Sequence, residues 1–100
     1  MQSSTLIKRL FGIQDFYLID LKIFKRRVEV VLDRAKQQGE YDRRWCWVRD
    51  FNFGDKEIWI KFPKIRYLAQ GGWIRNEQLP WVGHYGRLTR RFERHIPSRH

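Results

Sequence analysis

Residues 45–62 read WCWVRDFNFGDKEIWIKF. In the segment before Gly54-Asp55 and in the segment after it, side chains of two kinds alternate along the chain. A period of two is that of a β-strand. The dipeptide Gly-Asp is typical of a turn. The segment therefore predicts a β-hairpin with strands at 45–53 and 57–62, and Pro63 is expected to end the second strand or to mark a sheet edge.

The segments before this hairpin predict two further strands and a short helix. Alternation of residue types places strands at 16–23 (FYLIDLKI) and 27–34 (RVEVVLDR), with FKR (24–26) as the turn between them. The polar stretch 36–44 (KQQGEYDRR) contains a glycine and predicts a loop. Residues 5–12 (TLIKRLFG) predict a short N-terminal helix.

Beyond Pro80 the spacing of apolar residues changes to three and four, which is the period of an α-helix. This apolar stripe consists of Val82, Tyr85, Leu88, Phe92 and Ile96. Four arginines fall within an arc of about 100° on the opposite side of such a helix: Arg87, Arg90, Arg91 and Arg94. The prediction is an α+β fold: a small antiparallel β-rich domain over residues 1–80, and an amphipathic basic helix and tail over residues 81–100.

The charge of the chain favours a polyanionic partner. It has 21 Lys and Arg against 11 Asp and Glu, and a formal net charge of +10, which favours nucleic acid or an anionic membrane face. The single cysteine excludes an internal disulfide and fits a reducing compartment. No apolar run is long enough to span a bilayer and the N-terminus lacks a signal-peptide core, so a cytoplasmic protein without a transmembrane segment is expected.

Two groups of basic residues are candidate nucleic-acid contacts. The first is the arginine face of the predicted C-terminal helix, because guanidinium groups bind phosphate bidentately without reading sequence. The alternative is a solvated helix face, although like charges on one helix face repel. The second group comprises Arg43, Arg44, Arg66 and Arg75, with Lys64 between them. Tyr67 and Trp73 beside it are candidates for stacking on bases, with core packing favoured for Trp73.

The residues of catalytic sites are not arranged in any recognised pattern. His84, His95 and His100 have no metal-ligand spacing to one another or to Cys46. Gly71-Gly72 is a turn signal and not a phosphate-binding loop. We therefore expect a non-catalytic protein with no metal and no cofactor.

The order of several segments resembles the N-terminal region of insertion-sequence transposases of the ISL-three family. The matching segments are VRDF (48–51), the hairpin up to Arg66-Tyr67, EQLP (77–80) and RLTRRFERHI (87–96). The resemblance covers roughly residues 12–96 and implies a zinc ribbon, the start of a helix-turn-helix and a DNA-binding task.

The sequence departs from the family at every zinc-ligand position. By spacing, the two cysteine pairs fall on Ala35 and Gln38 and on Ala69 and Gly72. Structural zinc contributes on the order of 10 kcal/mol to the stability of folds of this kind. Another interaction must therefore join the two turns, at residues 35–38 and 69–72, that the metal would hold together. The five tryptophans, Trp45, Trp47, Trp59, Trp73 and Trp81, are the predicted replacement core. The family's acidic catalytic core has no counterpart in these residues.

The resulting interpretation is a non-catalytic basic nucleic-acid-binding module, derived from a transposase DNA-binding region and free of metal. The alternative is a small protein-interaction subunit of a larger complex, in which the ancestral DNA-binding role is lost. Aromatic residues, 16% of the chain, would then serve as interface anchors. A membrane-surface role is the third possibility.

Overall fold

The computed structural model describes residues 3–84 and 86–95 and has the predicted α+β class. Its elements are α1 (Ser3–Phe11), β1 (Tyr17–Ile23), β2 (Arg27–Asp33), β3 (Glu40–Phe53), β4 (Lys56–Leu68), β5 (Ile74–Asn76) and α2 (Arg90–His95). Neither of the described helices has the length and apolar character needed to cross a membrane.

All five strands belong to one sheet in the order β1-β2-β4-β3, and β5 pairs with the end of β4. The pairs β1–β2 and β3–β4 are antiparallel, as predicted, and β5 also pairs antiparallel with β4. The pair β2–β4 is parallel, from Arg27 opposite Glu57 to Val31 opposite Lys61, so the expectation of a purely antiparallel sheet is wrong there. The β3–β4 hairpin joins β2 through its second strand, which runs in the same direction as β2.

The two predicted hairpins are present, with shifted boundaries. The turn after β1 is closed by the N–H of Phe24, which donates to the carbonyl of Arg27 at 2.8 Å. The predicted loop 36–44 is shorter than expected because β3 begins at Glu40, whose segment pairs with the far end of β4. Strand β4 is longer than predicted and continues through Pro63.

Pro63 is accommodated because its nitrogen faces a gap in the sheet. Both backbone groups of Ile65 bond Glu77, at 2.7 Å and 3.1 Å, so they are directed away from β3. Backbone groups alternate along a strand, and the nitrogen of Pro63 therefore points to the same side. On that side β2 pairs with β4 only up to Lys61, and β5 pairs with β4 only from Arg66 onward, so the missing N–H interrupts no ladder.

The main core lies on one side of the sheet. Strand residues Val30, Leu32, Val48, Ile58, Ile60 and Phe62 pack there against Ile7, Ile13, Phe16, Trp81 and Val82. The rings of Phe16, Phe62 and Trp81 meet edge to face, with centroid distances of 4.7 to 6.3 Å. Helix α1 and the segment around residues 81–82 thus cover one face of the sheet.

The predicted tryptophan core is wrong. Trp45, Trp47 and Trp73 are 45%, 39% and 69% exposed, and Trp59 is half-buried. Only Trp81 belongs to the core, where it packs on phenylalanines and not between the two turns. Alternation along β3 gives the strand two faces, and the face with Val48 packs in the main core.

Backbone and polar contacts join the two turns instead. The N–H of Leu68 donates to the carbonyl of Gly39 at 3.3 Å, so the segments with the four zinc-ligand positions lie next to each other. Arg43 donates to the carbonyls of Arg34 and Ala35, both at 3.1 Å. In the second turn Gly71 and Gly72 have positive φ, as predicted for a glycine turn.

The C-terminal helix begins at Arg90 and not at Val82. Residues 82–84 and 86–89 are not helical, and the N–H of Gly83 donates to the carbonyl of Leu88 at 2.7 Å. The hydroxyl of Thr89 accepts a 3.4 Å bond from the N–H of Phe92, which is the geometry of an N-cap and sets the start of the helix. Tyr85 and Ile96 of the predicted apolar stripe lie outside the described residues.

Candidate nucleic-acid interface

The arginines predicted to share one helix face are separated in the structure. Arg87 precedes α2, is exposed, and its carbonyl accepts a bond from the N–H of Arg49. Arg90 lies in the first turn of α2, and its Nε donates to the carbonyl of Pro80 at 3.1 Å. Arg94 is exposed in the last turn.

Arg91 is directed to a buried carboxylate. Asp50 is 1% exposed, and its Oδ1 accepts bonds from the Thr89 hydroxyl at 2.6 Å and from Arg91 Nε at 3.0 Å. A second bond joins Arg91 Nη2 to Asp50 Oδ2, and Arg91 Nη1 donates to the carbonyl of Leu10 at 3.1 Å. A buried carboxylate requires such partners, so the guanidinium of Arg91 joins α1, β3 and α2.

Arg43 is likewise held by carboxylates. Its guanidinium bonds Asp33 at 2.9 Å and Glu40 at 2.8 Å, in addition to the two carbonyls of the loop after β2. The hydrogen bond from Arg43 lowers the pKa of Glu40, and Glu40 in turn raises the pKa of Arg43. This side chain fixes the crossing from β2 to β3.

The remaining members of the second group surround a pocket. Arg44, Lys64 and Arg66 line a pocket of about 230 Å³ together with Cys46 and Asn76. Arg44 lies directly opposite Lys64 across the β3–β4 ladder. Within residues 3–84 and 86–95, neither Arg44 nor Lys64 forms an ion pair with a carboxylate.

Arg66 also lines this pocket, but the Asp42 carboxylate compensates its charge. Its Nε donates to Asp42 Oδ1 at 2.7 Å, and a second bond joins Nη2 to Oδ2. The hydrogen bond from Arg66 lowers the pKa of the Asp42 carboxyl and keeps it ionised. The charge of Arg44 also lowers the pKa of Asp42. Arg44 and Lys64 are therefore the cations of the pocket that form no ion pair within the described residues.

Lys64 also lines a second pocket of about 410 Å³, which contains Arg90, His84 and Glu77. Glu77 forms a 2.6 Å ion pair with Arg34, which offsets its charge. The two pockets adjoin at Lys64, and their basic side chains, Arg44, Lys64, Arg66 and Arg90, are called the basic groove below. The structure thus brings together Arg44, Arg66 and Arg90 from the predicted set.

Arg75 is exposed on β5 opposite Tyr67, and both line a third pocket, which adjoins the two pockets of the basic groove at Asn76 and Glu77. Neither Arg75 nor Tyr67 lines those two pockets. Trp73, for which core packing was favoured, is 69% exposed, and its Nε1 donates to the carbonyl of Gln70 at 2.7 Å. That bond ties its indole to the glycine turn.

A second surface was missed by the sequence reasoning. On the face of the sheet opposite the main core, Trp45 and Trp47 of β3 lie beside Trp59 and Lys61 of β4 and Arg27 of β2. We call these five residues the tryptophan face. The period of two puts Trp45 and Trp47 on one side of β3, but it does not show which side of the sheet is covered.

Within the described residues, no group of three His, Cys, Asp or Glu side chains is placed to hold a metal ion. No protein-family model, curated protein or solved structure matches the chain. The basic groove and the tryptophan face are therefore the features from which a function is inferred.

Proposed function

We propose that the protein is a non-catalytic module that binds nucleic acid through the phosphate backbone, with the basic groove as the contact surface. The observation that carries the proposal is the cross-strand pair of Arg44 and Lys64, two cations without a carboxylate partner in the described residues. Like charges opposite each other on neighbouring strands are destabilising. A phosphate between them would relieve this repulsion and accept charge-assisted hydrogen bonds from both.

Two further observations support a polyanionic partner. The net charge of +10 attracts nucleic acid from a distance and accelerates association. Lys64 lines both pockets, and Arg90 lines the larger one. The cations of the basic groove therefore extend beyond a single phosphate site. A groove with several cations suits the repeated charges of a nucleic-acid backbone better than a single small anion.

An origin in the DNA-binding region of an ISL-three-type transposase is part of this proposal. It rests on the order of the sequence segments named above. It is supported by the contact between Gly39 and Leu68, which places the two turns side by side as in a ribbon whose metal has been lost. The sequence RRFERH in α2 would then be the remaining start of a basic reading helix.

A salt titration tests the proposal. We expect affinity for DNA or RNA to fall steeply as salt rises, because phosphate contacts release counterions. The double variant Arg44→Gln/Lys64→Gln should weaken binding and lower the slope of log K against log salt by about one to two. The double variant Lys25→Gln/Arg26→Gln removes two exposed charges from the β1–β2 turn, so it is the matched control and should have a much smaller effect.

Two results would contradict the proposal. The first is an absence of binding to duplex or single-stranded nucleic acid at low salt. The second is an equal loss of affinity and slope in the groove variant and in Lys25→Gln/Arg26→Gln, which would leave only a diffuse charge effect.

The second candidate function is a protein-interaction subunit, and the tryptophan face is the observation that favours it. Exposed tryptophans beside arginine are typical of interface hot spots. A protein complex that survives nuclease treatment and high salt during purification would support this candidate over the first.

A further inference from the structure

Cations and indole rings alternate along the tryptophan face. The Lys61 ammonium lies 5.5 Å from the ring centre of Trp45 and 5.7 Å from that of Trp47. The Arg27 guanidinium lies 5.9 Å from the ring centre of Trp47 and 5.2 Å from that of Trp59. The side chains thus form one row in the order Trp45, Lys61, Trp47, Arg27, Trp59.

This row is open to solvent. Trp45 and Trp47 are 45% and 39% exposed, and helix α1 and the buried cluster lie on the other side of the sheet. Indole rings contribute most to the stability of a core or an interface when their apolar area is removed from water. A contiguous exposed apolar surface therefore marks an interaction site. The row is therefore a surface whose rings are ordered by cation–π contacts but only partly covered.

We propose that single-stranded nucleic acid lies along this row, with bases stacked on the indoles and phosphates beside the cations. A single strand presents flat bases and negative phosphates in alternation, which matches the alternation of rings and cations. Every base has a π-face, so stacking of this kind tolerates any sequence. In a duplex the bases stack on one another and cannot reach the rings.

The charges on this face favour Lys61 as the main phosphate contact. Arg27 forms a 2.8 Å ion pair with Glu29, so part of its charge is already compensated. Lys61 forms no ion pair with a carboxylate in the described part of the chain. Affinity at this face should accordingly come more from stacking than from charge.

The tryptophan face is continuous with the basic groove around the edge of the sheet. Arg44 and Trp45 are consecutive in β3, so their side chains point to opposite faces. Strand β3 is the last strand of the sheet on this side. A single strand that passes around this edge can place phosphates at Arg44 and bases on Trp45 and Trp47. The inference thus rests on the proposed function and specifies its substrate class.

The test compares a short oligothymidine with a duplex of the same strand and its complement. Trp47→Leu should lower affinity for the single strand about fivefold or more, because one stacked base is lost, and should leave duplex affinity unchanged. Trp73→Leu removes a more exposed tryptophan outside the row and should change neither affinity. Trp47→Tyr retains a stacking ring and should restore most of the single-strand affinity, which separates stacking from a folding defect.

The outcomes separate this inference from the proposed function. If Trp47→Leu and Trp73→Leu bind the oligothymidine equally well, or if single strand and duplex lose affinity together in Trp47→Leu, the stacking inference is overturned. The groove proposal stands in that case if the Arg44→Gln/Lys64→Gln variant still loses affinity. Absence of binding to both probes overturns both, and a protein partner whose capture requires Trp47 overturns the stacking inference.

Discussion

At the scale of single residues, Glu77 closes the gap that separates β2 from β5 along the edge of β4. Its Oε1 accepts bonds from the N–H of Ile65 at 2.7 Å and from Arg34 Nη1 at 2.6 Å, and its own N–H donates to the carbonyl of Ile65 at 3.1 Å. The side chains of Arg34 and Glu77 are only 7% and 9% exposed. Glu77 therefore supplies the hydrogen bonds that a neighbouring strand would supply.

Glu77→Ala is predicted to destabilise the protein by about 3 to 5 kcal/mol, because it leaves the buried charge of Arg34 and the N–H of Ile65 without their acceptor. Glu77→Gln keeps a hydrogen-bond acceptor but loses the ion pair, so it should reduce the stability of the protein less than Glu77→Ala does. The free energy of unfolding in urea measures both. Gln78→Ala, at an exposed neighbouring position, should stay within about 0.5 kcal/mol of the unchanged protein. Equal midpoints for Glu77→Ala and Gln78→Ala would refute this role.

At the scale of elements, the crossing from β2 to β3 depends on Arg43 and the carboxylates around it. Arg43 binds Asp33 at the end of β2 and Glu40 at the start of β3, and thereby holds the intervening loop. The hydrogen bond from Arg43 holds the pKa of Glu40 below its ordinary value of 4.5. The folded state therefore binds fewer protons than the unfolded state near this pH, and the stability from the pair is present above that value.

We expect the free energy of unfolding to fall as the pH drops below about 4.5 through the lowered pKa of Glu40. Glu40→Gln should reduce the slope of stability against pH in this window and should lower stability at neutral pH. Urea unfolding at a series of pH values measures the slope. Asp55→Asn, in the exposed β3–β4 turn, is the control and should leave the slope nearly unchanged. The same slope in Glu40→Gln as in the unchanged protein would contradict this account.

Alternation along the chain sufficed to predict β1, β2 and the β3–β4 hairpin, because each strand needs only its own residues to show a period of two. The parallel pairing of β2 with β4 was not predictable in this way, since it joins segments about thirty residues apart. The helix predicted from Val82 failed for a related reason. Apolar residues at helical spacing also occur in a loop, and the cap at Thr89 determines where the helix begins.

The candidate site was predictable only in part. Arg43 and Arg44 are adjacent in sequence and point to opposite faces, so one is held by carboxylates while the other lines the basic groove. The sequence could not distinguish them because Asp33, a partner of Arg43, lies ten residues away in another strand. The tryptophan face was missed because the tryptophans were assigned to replace a metal.

At the scale of the whole molecule, the side of the sheet with the main core is closed by segments from both ends of the described chain. Arg91 connects them, since its guanidinium bonds Asp50 in β3 and the carbonyl of Leu10 in α1. Asp50 is 1% exposed, whereas the Arg91 side chain is 43% exposed. The carboxylate is therefore buried, and its charge partner remains in contact with solvent.

Arg91→Ala is predicted to lower the free energy of unfolding by about 2 to 3 kcal/mol. This is less than for breaking a fully buried ion pair, because water can partly replace an exposed guanidinium. Arg91→Lys keeps the charge but loses the bidentate geometry, so its loss should be smaller. Arg94→Ala, in the same helix but exposed, should stay within about 0.5 kcal/mol. Because Arg91 joins α1 to the sheet, hydrogen exchange in residues 7–11 should accelerate in Arg91→Ala and not in Arg94→Ala. Unchanged exchange in α1 would mean that the helix is held by its apolar contacts alone, and that the ion pair fixes only α2.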